Sequence, residues 1–272
     1  MSKATKQLTP RLALVATAVA LFVAQWLCGD FPQWLFVAPM NIVVGVLWLA
    51  LVAEGYRRRA QWGVVRYLLS PEATYVALAV AALVAALLGL QAEPRAVSWP
   101  VVGAFVYMLT VLTLVILRGW RNAKGVRWRF LIIHCGLLLA VVSTLLGAPD
   151  KEVLRVQVGE TPTREAVNAR GERRYLDYEL QLRNFEMEQS EDGTPQMFRA
   201  TVAVDDEVVD IEVNSPYSQK YGEDIYLVSY AADGCVLQVV REPWRAVTAT
   251  GVAMLLLGAF MLFLQGFGGV RQ

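Results

Sequence analysis

The chain has 272 residues, of which 56% are hydrophobic, and its mean hydropathy is +0.42. This composition is too apolar for a soluble protein of that length, so it indicates a membrane protein. The formal net charge is only +1, but all except four of the 24 acidic residues lie between Asp150 and Glu242. Lys and Arg are half as frequent as acidic residues within that block. The sequence therefore predicts membrane helices combined with one acidic, water-facing domain.

Six apolar segments each hold close to 20 residues, about what a 30 Å hydrocarbon layer requires. They cover approximately 12–28, 34–53, 73–90, 99–117, 130–147 and 246–264. A basic start before the first segment is also typical of a signal peptide. That segment ends in bulky Trp26 and Leu27, however, so we interpret it as a retained helix. The third segment opens with Ser70, Pro71 and Glu72, which is typical of a helix N-terminus.

Basic residues in the short connections predict the orientation of these helices. The N-terminus, the loop 57–66 and the loop 118–129 are strongly basic. The loops 29–33 and 91–98, in contrast, contain a single basic residue, Arg95. Loops rich in Lys and Arg remain in the cytoplasm. Both termini are therefore predicted to be cytoplasmic, and the acidic block is predicted to be extracytoplasmic.

The acidic block shows the two-residue alternation of β-strands. Leu154, Val156 and Val158 alternate with Arg155 and Gln157, and similar runs cover 178–183, 200–204 and 209–214. The run 225–230 is apolar on both faces, which suits a central strand, and 235–240 closes the set. These runs predict an antiparallel sandwich or barrel inserted between helices five and six.

The predicted domain boundaries follow from this division of the chain. Residues 1–148 carry helices one to five, residues 149–243 form the β-domain, and residues 244–272 form the last helix and a cytoplasmic tail. The β-domain has no histidine, no GxSxG sequence and no glycine-rich phosphate loop. It therefore shows no catalytic constellation.

The only histidine, His134, lies in the fifth apolar segment. An imidazole in hydrocarbon loses water and needs a partner. Two interpretations remain open: a structural histidine, hydrogen-bonded to a neighbouring helix or directed towards the head groups, and a metal or haem ligand. The lone histidine and the widely spaced Cys28, Cys135 and Cys235 exclude a usual protein zinc site. One imidazole per chain also means that a bis-histidine haem needs a partner or a second copy.

One stretch of the acidic block resembles a known family. Residues 213–230 read VNSPYSQKYGEDIYLVSY, which resembles the VN-x-P, G-x-x-x-Y and S-Y signature of the ResB/CcsB cytochrome c biogenesis proteins. The helix 130–147, the strand 178–185 and the segment 241–244 match that family in the same order. The signature is carried by Asn214, Pro216, Gly222, Tyr226 and Tyr230.

The resemblance implies a role in the handling of haem. Such proteins pair with a tryptophan-rich ResC/CcsA-like membrane protein, move haem outwards and attach it to the CxxCH thiols of apocytochrome c. It implies that His134 is an axial ligand of transiently bound haem b. Arg121, Arg127 and Arg129, in the basic collar before the helix, would then bind the haem propionates.

The resemblance also implies the partners and the location. The chain would be a non-catalytic subunit of a cytochrome c synthetase in the lipid bilayer of the bacterial inner membrane, with a periplasmic β-domain and no nucleic-acid partner. The alternative is a membrane-anchored adaptor or sensor without haem, which binds a periplasmic partner through its β-domain.

Overall fold

The computed structural model describes residues 3–90, 98–189, 195–231 and 234–265. It divides into two compact units. The helical unit comprises Met1–Pro149 and Val247–Gln272, and the β unit comprises Asp150–Ala246. In chain order, the β unit is thus an insertion before the last helix.

The helical unit contains long helices joined by short connections. Its elements are α1 (Lys3–Cys28), α2 (Met40–Arg57), α3 (Gly63–Leu68), α4 (Pro71–Gly89), α5 (Trp99–Gly119), the hairpin strands β1 (Arg121–Asn122) and β2 (Gly125–Val126), α6 (Trp128–Gly147) and α7 (Arg245–Gln265). Within the described ranges, all of these helices except α3 are long and apolar enough to cross a membrane. The predicted set of six apolar helices is confirmed, and it indicates a membrane protein.

The predicted start of the second apolar helix is wrong. Residues Gln33–Phe36 form a short 3-10 helix, and α2 begins only at Met40, directly after Pro39. Apolar composition continues through both elements, so it could not mark this boundary, but proline lacks the N–H that a helix interior needs. The predicted start of the third helix is confirmed, because the Ser70 hydroxyl caps α4 by accepting from the Ala73 N–H at 3.2 Å.

Polar side chains tie the long helices of the helical unit to one another. The Trp48 indole of α2 donates to the Thr110 hydroxyl at 3.1 Å, and the Tyr107 hydroxyl donates to the Ala73 carbonyl of α4 at 3.1 Å. Fully buried Asn41 donates from its side chain to the Leu146 carbonyl of α6 at 3.0 Å. Such bonds favour one packing arrangement, because buried polar groups are costly when unpaired.

Helices α6 and α7 approach closely through glycine. A Cβ atom added to Gly136 would lie 2.9 Å from the Gly251 carbonyl oxygen, and one added to Gly251 would lie 2.8 Å from the Ala140 nitrogen. The Thr248 hydroxyl also donates to the Ser143 hydroxyl at 2.9 Å. Small residues at crossing points are typical of helices that pack within membranes.

The β unit is a single antiparallel sheet. Its strands are β3 (Glu152–Val158), β4 (Thr163–Asn168), β5 (Arg173–Gln189), β6 (Pro195–Val204), β7 (Glu207–Glu212), β8 (Tyr217–Lys220), β9 (Glu223–Ala231) and β10 (Gly234–Arg241), in the spatial order β7-β6-β5-β4-β3-β10-β9-β8. The two end strands meet, because the Tyr217 hydroxyl of β8 donates to the Glu207 carboxylate of β7 at 2.9 Å. The sheet therefore curls around its core, which agrees with the barrel alternative of the prediction.

The predicted alternation fits the observed core. Leu154, Val156 and Val158 of β3 are fully buried, as are Leu180 of β5 and Val202 of β6. The interpretation of 225–230 is only partly correct. Ile225 and Leu227 are buried, but Val228 and Tyr230 on the other face are 48% and 59% exposed. The sequence EDGTP at 191–195 also predicts a turn, and it lies largely outside the described residues.

Candidate functional site

His134 lies in the first half of α6, and its ring is bound to its own helix. The Nδ1 atom is 2.8 Å from the Phe130 carbonyl oxygen, one turn earlier. A carbonyl oxygen can only accept, so Nδ1 carries the proton and a neutral ring has its lone pair on Nε2. Histidines that bind metals commonly donate their other ring N–H in this way, which fixes the tautomer. The bond to the local backbone thus leaves Nε2 as the ring nitrogen that could bind a metal.

Aromatic and cationic side chains hold the His134 ring in place. The Phe130 ring stacks on it with centroids 3.9 Å apart and planes inclined by 27°. The Arg127 guanidinium carbon lies 4.7 Å from the centre of the Phe130 ring. We call Arg127, Phe130 and His134 the histidine stack. Gly119 of α5 makes room for it, because a Cβ atom there would come within 2.5 Å of the Phe130 ring.

The structure separates the three arginines that were predicted to bind propionates. Arg127 belongs to the histidine stack and also donates to the Gly119 carbonyl at 3.1 Å. Arg121 is on β1, where its guanidinium carbon lies 5.7 Å from the centre of the Trp120 ring. Arg129 is half-buried at the start of α6. The contacts therefore bring Arg127 to His134, through Phe130.

The surroundings of His134 fit a haem iron better than a bare ion. Among the described residues, no group of three or more His, Cys, Asp or Glu could hold a metal ion. One imidazole nitrogen is enough, however, for an axial position on an iron that brings its own porphyrin ligands. Leu131 and Leu138 are half-buried and Leu137 is 41% exposed, so apolar surface flanks the ring. Gly136, two residues after His134, is covered by α7.

The signature residues of the β unit shape its turns. Asn214 adopts a φ of +64° between β7 and β8, and Gly222 adopts +83° between β8 and β9. Asparagine and glycine tolerate this left-handed region best. A Cβ atom on Gly222 would also lie 2.8 Å from the Glu242 carbonyl oxygen, and the Glu242 N–H donates to the Gly222 carbonyl at 2.6 Å. Pro216 is exposed in the first turn, and Tyr226 is half-buried in β9.

Tyr230 differs from the other signature residues because its ring faces outwards. It is 59% exposed and lies 5.6 Å, between centroids, from Phe198, on which it stacks. Phe185 completes the group at 6.0 Å from Tyr230. We call these three residues the aromatic cluster. Exposed aromatic rings with fixed positions are common anchors in protein interfaces.

A comparison with models of known families tests the resemblance to the ResB/CcsB proteins. Residues 124–236 match the model of the ResB-like family. This segment belongs to the ResB-like family. The ResB-like segment contains His134 and all five signature residues, so the predicted family is confirmed.

A solved structure described as "Cytochrome c Heme Lyase CcmF" is similar to 68% of the chain, at 11% sequence identity and a TM-score of 0.40. The similar region is 33% of that protein, so the chain corresponds to about a third of its length. No curated protein shows a significant match to the chain.

The β unit also contains a buried charged cluster that sequence reasoning missed. Glu223, only 2% exposed, accepts from the Tyr178 hydroxyl at 2.6 Å and from Arg241 Nε at 3.0 Å. Burial alone would raise the pKa of Glu223, but the bond from Tyr178 and the charge of Arg241 outweigh it and lower that pKa. Burial and the bond to Glu223 raise the pKa of Tyr178. Glu223 and Arg241 therefore form a fixed ion pair, and the neutral Tyr178 hydroxyl is a hydrogen-bond donor to it.

Cys235 of the ResB-like segment is not placed for redox chemistry. It is fully buried in β10, and burial raises the pKa of its thiol to about 11. The thiolate is the reactive form of cysteine, so this thiol is inert at neutral pH. Cys235 packs in the core of the β unit.

Proposed function

We propose that this ResB-like chain is a subunit of a membrane complex that carries haem b outwards and supplies it to apocytochrome c. Family membership supports the role in cytochrome c biogenesis. The observation that carries the haem assignment is the Nδ1–H bond of His134 to the Phe130 carbonyl, which leaves the Nε2 lone pair for iron. Haem, when bound, would supply the iron for this nitrogen and the vinyl groups for attachment to the acceptor thiols.

The chain's own residues orient the ligand. The Phe130 carbonyl holds the proton on Nδ1, and the Phe130 ring fixes the plane of the imidazole by stacking. Arg127 places a positive charge at the end of the histidine stack, where it can bind a propionate. Arg121 and Arg129, further members of the same basic collar, would bind the second propionate.

A second protein ligand to the haem iron would come from a partner in this proposal. Since the chain has one histidine, we assign the other imidazole to a tryptophan-rich ResC/CcsA-like membrane protein. Basic loops support cytoplasmic termini, a multi-pass arrangement in the bacterial cytoplasmic membrane and a periplasmic β unit. The β unit would then face the acceptor, and its excess of acidic residues would attract a basic cytochrome.

The test replaces His134 in the complete chain, produced with its membrane partner. His134→Gly removes the ligand, and added imidazole can occupy the space that it leaves. We expect the purified complex to lose haem and the cells to lose cytochrome c maturation, with partial recovery in imidazole. Cys135→Ser is the matched control, because Cys135 is the next residue of α6 and its substitution leaves the ligand in place. Unchanged haem content and maturation in His134→Gly would reject the haem assignment.

A second function, that of an adaptor or sensor without haem, is favoured by the aromatic cluster. Its exposed Tyr230 offers a contact for a protein partner that needs no cofactor. In that case Tyr230→Ala would release the partner, while His134→Gly would change neither the partner nor the maturation of cytochrome c. The same set of variants therefore separates the two functions.

A further inference from the structure

A cavity of about 300 Å³ lies where α1, α3 and α4 meet. Its walls include the side chains of Arg11, Arg66, Tyr67, Ser70 and Glu72. It belongs wholly to the helical unit and does not include any residue of the histidine stack. Its volume is at the lower end of the range for small-molecule sites, which suits a compact headgroup.

The charged groups of the cavity are held in place but keep donors available. Arg11 Nη2 bonds to the Glu72 carboxylate at 2.8 Å, and Arg66 Nη1 donates to the Ala60 carbonyl at 2.9 Å. A guanidinium has five N–H donors, so these bonds leave others for a ligand. Tyr67 lines the same cavity as Glu72 and Arg11. Two guanidinium groups against one carboxylate give the walls a positive balance.

The position of the cavity along the helices indicates where its ligand comes from. The apolar span of α1 begins at Pro10, and that of α4 begins at Pro71. The cavity therefore lies at the level where two apolar spans start, which is the level of lipid headgroups for helices that cross a bilayer. On the adjoining connection, Trp62 is 40% exposed. Tryptophan is enriched at this boundary between headgroups and hydrocarbon.

We propose that this cavity binds a phosphate group, supplied by the headgroup of an anionic phospholipid. Arginine is suited to phosphate because its planar fork donates two parallel hydrogen bonds to the oxygen atoms. Arg66 is the principal ligand, since the carboxylate of Glu72 already engages Arg11. The Tyr67 hydroxyl donates a further bond.

The test measures lipid binding to the complete chain in a nonionic detergent by native mass spectrometry. The probes are phosphatidylglycerol, diacylglycerol, which lacks the phosphate, and inorganic phosphate. We expect phosphatidylglycerol to bind, and Arg66→Gln to weaken its binding about tenfold, as for the loss of a bond to a charged group. Tyr67→Phe should weaken lipid binding about threefold. This variant removes only one hydroxyl, so it still tests the site if Arg66→Gln disturbs the local fold.

Arg57→Gln is the matched control for this experiment. Arg57 carries the same charge at the end of α2, in the same basic segment 57–66, but its side chain is 79% exposed and pairs with Glu54 outside the cavity. Equal binding by wild type and both cavity variants would overturn the proposal, as would an equal loss in Arg57→Gln or equal binding of diacylglycerol. Inorganic phosphate that binds as tightly as the lipid, with the same dependence on Arg66, would support the phosphate site and reject the lipid as its source. Haem takes no part in the measurement, so its outcome is independent of the function proposed above.

Discussion

The helical unit and the β unit satisfy their polar side chains in different ways. In the helical unit, Asn41 donates to the carbonyl of Leu146, and His134 donates to the carbonyl of its own helix. In the β unit, the buried carboxylate of Glu223 is paired with the guanidinium of Arg241. Neutral donors to backbone carbonyls avoid placing charge in an apolar layer, whereas a unit in water can bury a charge beside its counterpart. Substitutions should therefore act through packing in the first unit and through charge in the second.

The largest effect is expected for Glu223→Gln in the β unit. It leaves Arg241 without its buried counter-charge, and breaking such a pair costs about 3–5 kcal/mol of the free energy of unfolding. Arg241 keeps a longer contact with Glu152, at 3.4 Å, which places the loss nearer the lower value. Chemical denaturation of the complete chain, followed by a signal from the β unit, measures it. A loss of free energy of unfolding below about 0.5 kcal/mol would mean that the pair of Glu223 and Arg241 does not stabilise the β unit as the structure indicates.

The pH dependence of the same signal provides an independent check. The pKa of Glu223 is lowered in the folded protein. Its contribution to the free energy of unfolding is therefore complete above the unfolded-state pKa of about 4.3, and it is lost as the pH falls through the folded-state pKa. Wild-type stability should therefore decline below about pH 4.3, and Glu223→Gln should remove part of that decline. Identical acid profiles for the two proteins would contradict the assigned direction.

The next effect is expected for Gly136→Leu in the helical unit. Any Cβ there meets the backbone of α7 at 2.9 Å, so the two helices must separate, at a cost of about 1–3 kcal/mol or more. Thermal unfolding in detergent should show a lower midpoint. Gly89→Leu is the control, because a Cβ atom at Gly89 meets nothing within 4 Å. Equal shifts in the two variants would show that packing of α6 on α7 is not the cause.

The smallest effect is expected for Gly119→Ala. The new methyl group displaces the Phe130 ring from His134, and aromatic stacking contributes about 0.5–1.5 kcal/mol, so haem content of the complex should fall about threefold to tenfold. Gly103→Ala is matched to it, since it also lies on α5 and also strikes a side chain, that of Leu21. Gly103→Ala should lower thermal stability but leave haem content unchanged. The same haem loss in both variants would remove the special role of the histidine stack.

The sequence predicted the elements whose pattern is local. Apolar length predicted the six long helices, and alternation predicted most strands of the β unit. The short helix α3, the hairpin β1–β2 and the strands β4 and β8 were missed, because runs of two to six residues carry too few positions to show a period. The helix boundary at Met40 was missed for a different reason, since an apolar 3-10 helix precedes it.

The candidate site was predictable only in part. His134, the only histidine, and the signature residues could be selected from the sequence. The close approach of the Phe130 ring to Gly119, in contrast, depends on how α5 packs against α6. The cluster of Tyr178, Glu223 and Arg241 joins positions 45 and 18 residues apart. Such pairs depend on strand register and order, which alternation within one strand does not determine.

The meeting of β7 with β8 has a consequence for how the β unit can be recognised. These strands end the sheet, yet they are only six and four residues long, and the backbones of Glu212 and Ser215 bond to each other. A visiting peptide that extends a sheet needs a long open row of backbone donors and acceptors, and this seam offers little of one. Recognition must then rely on protruding side chains. An extended, unfolded acceptor would be bound through separate side-chain contacts, and it would not be added to the sheet as a further strand.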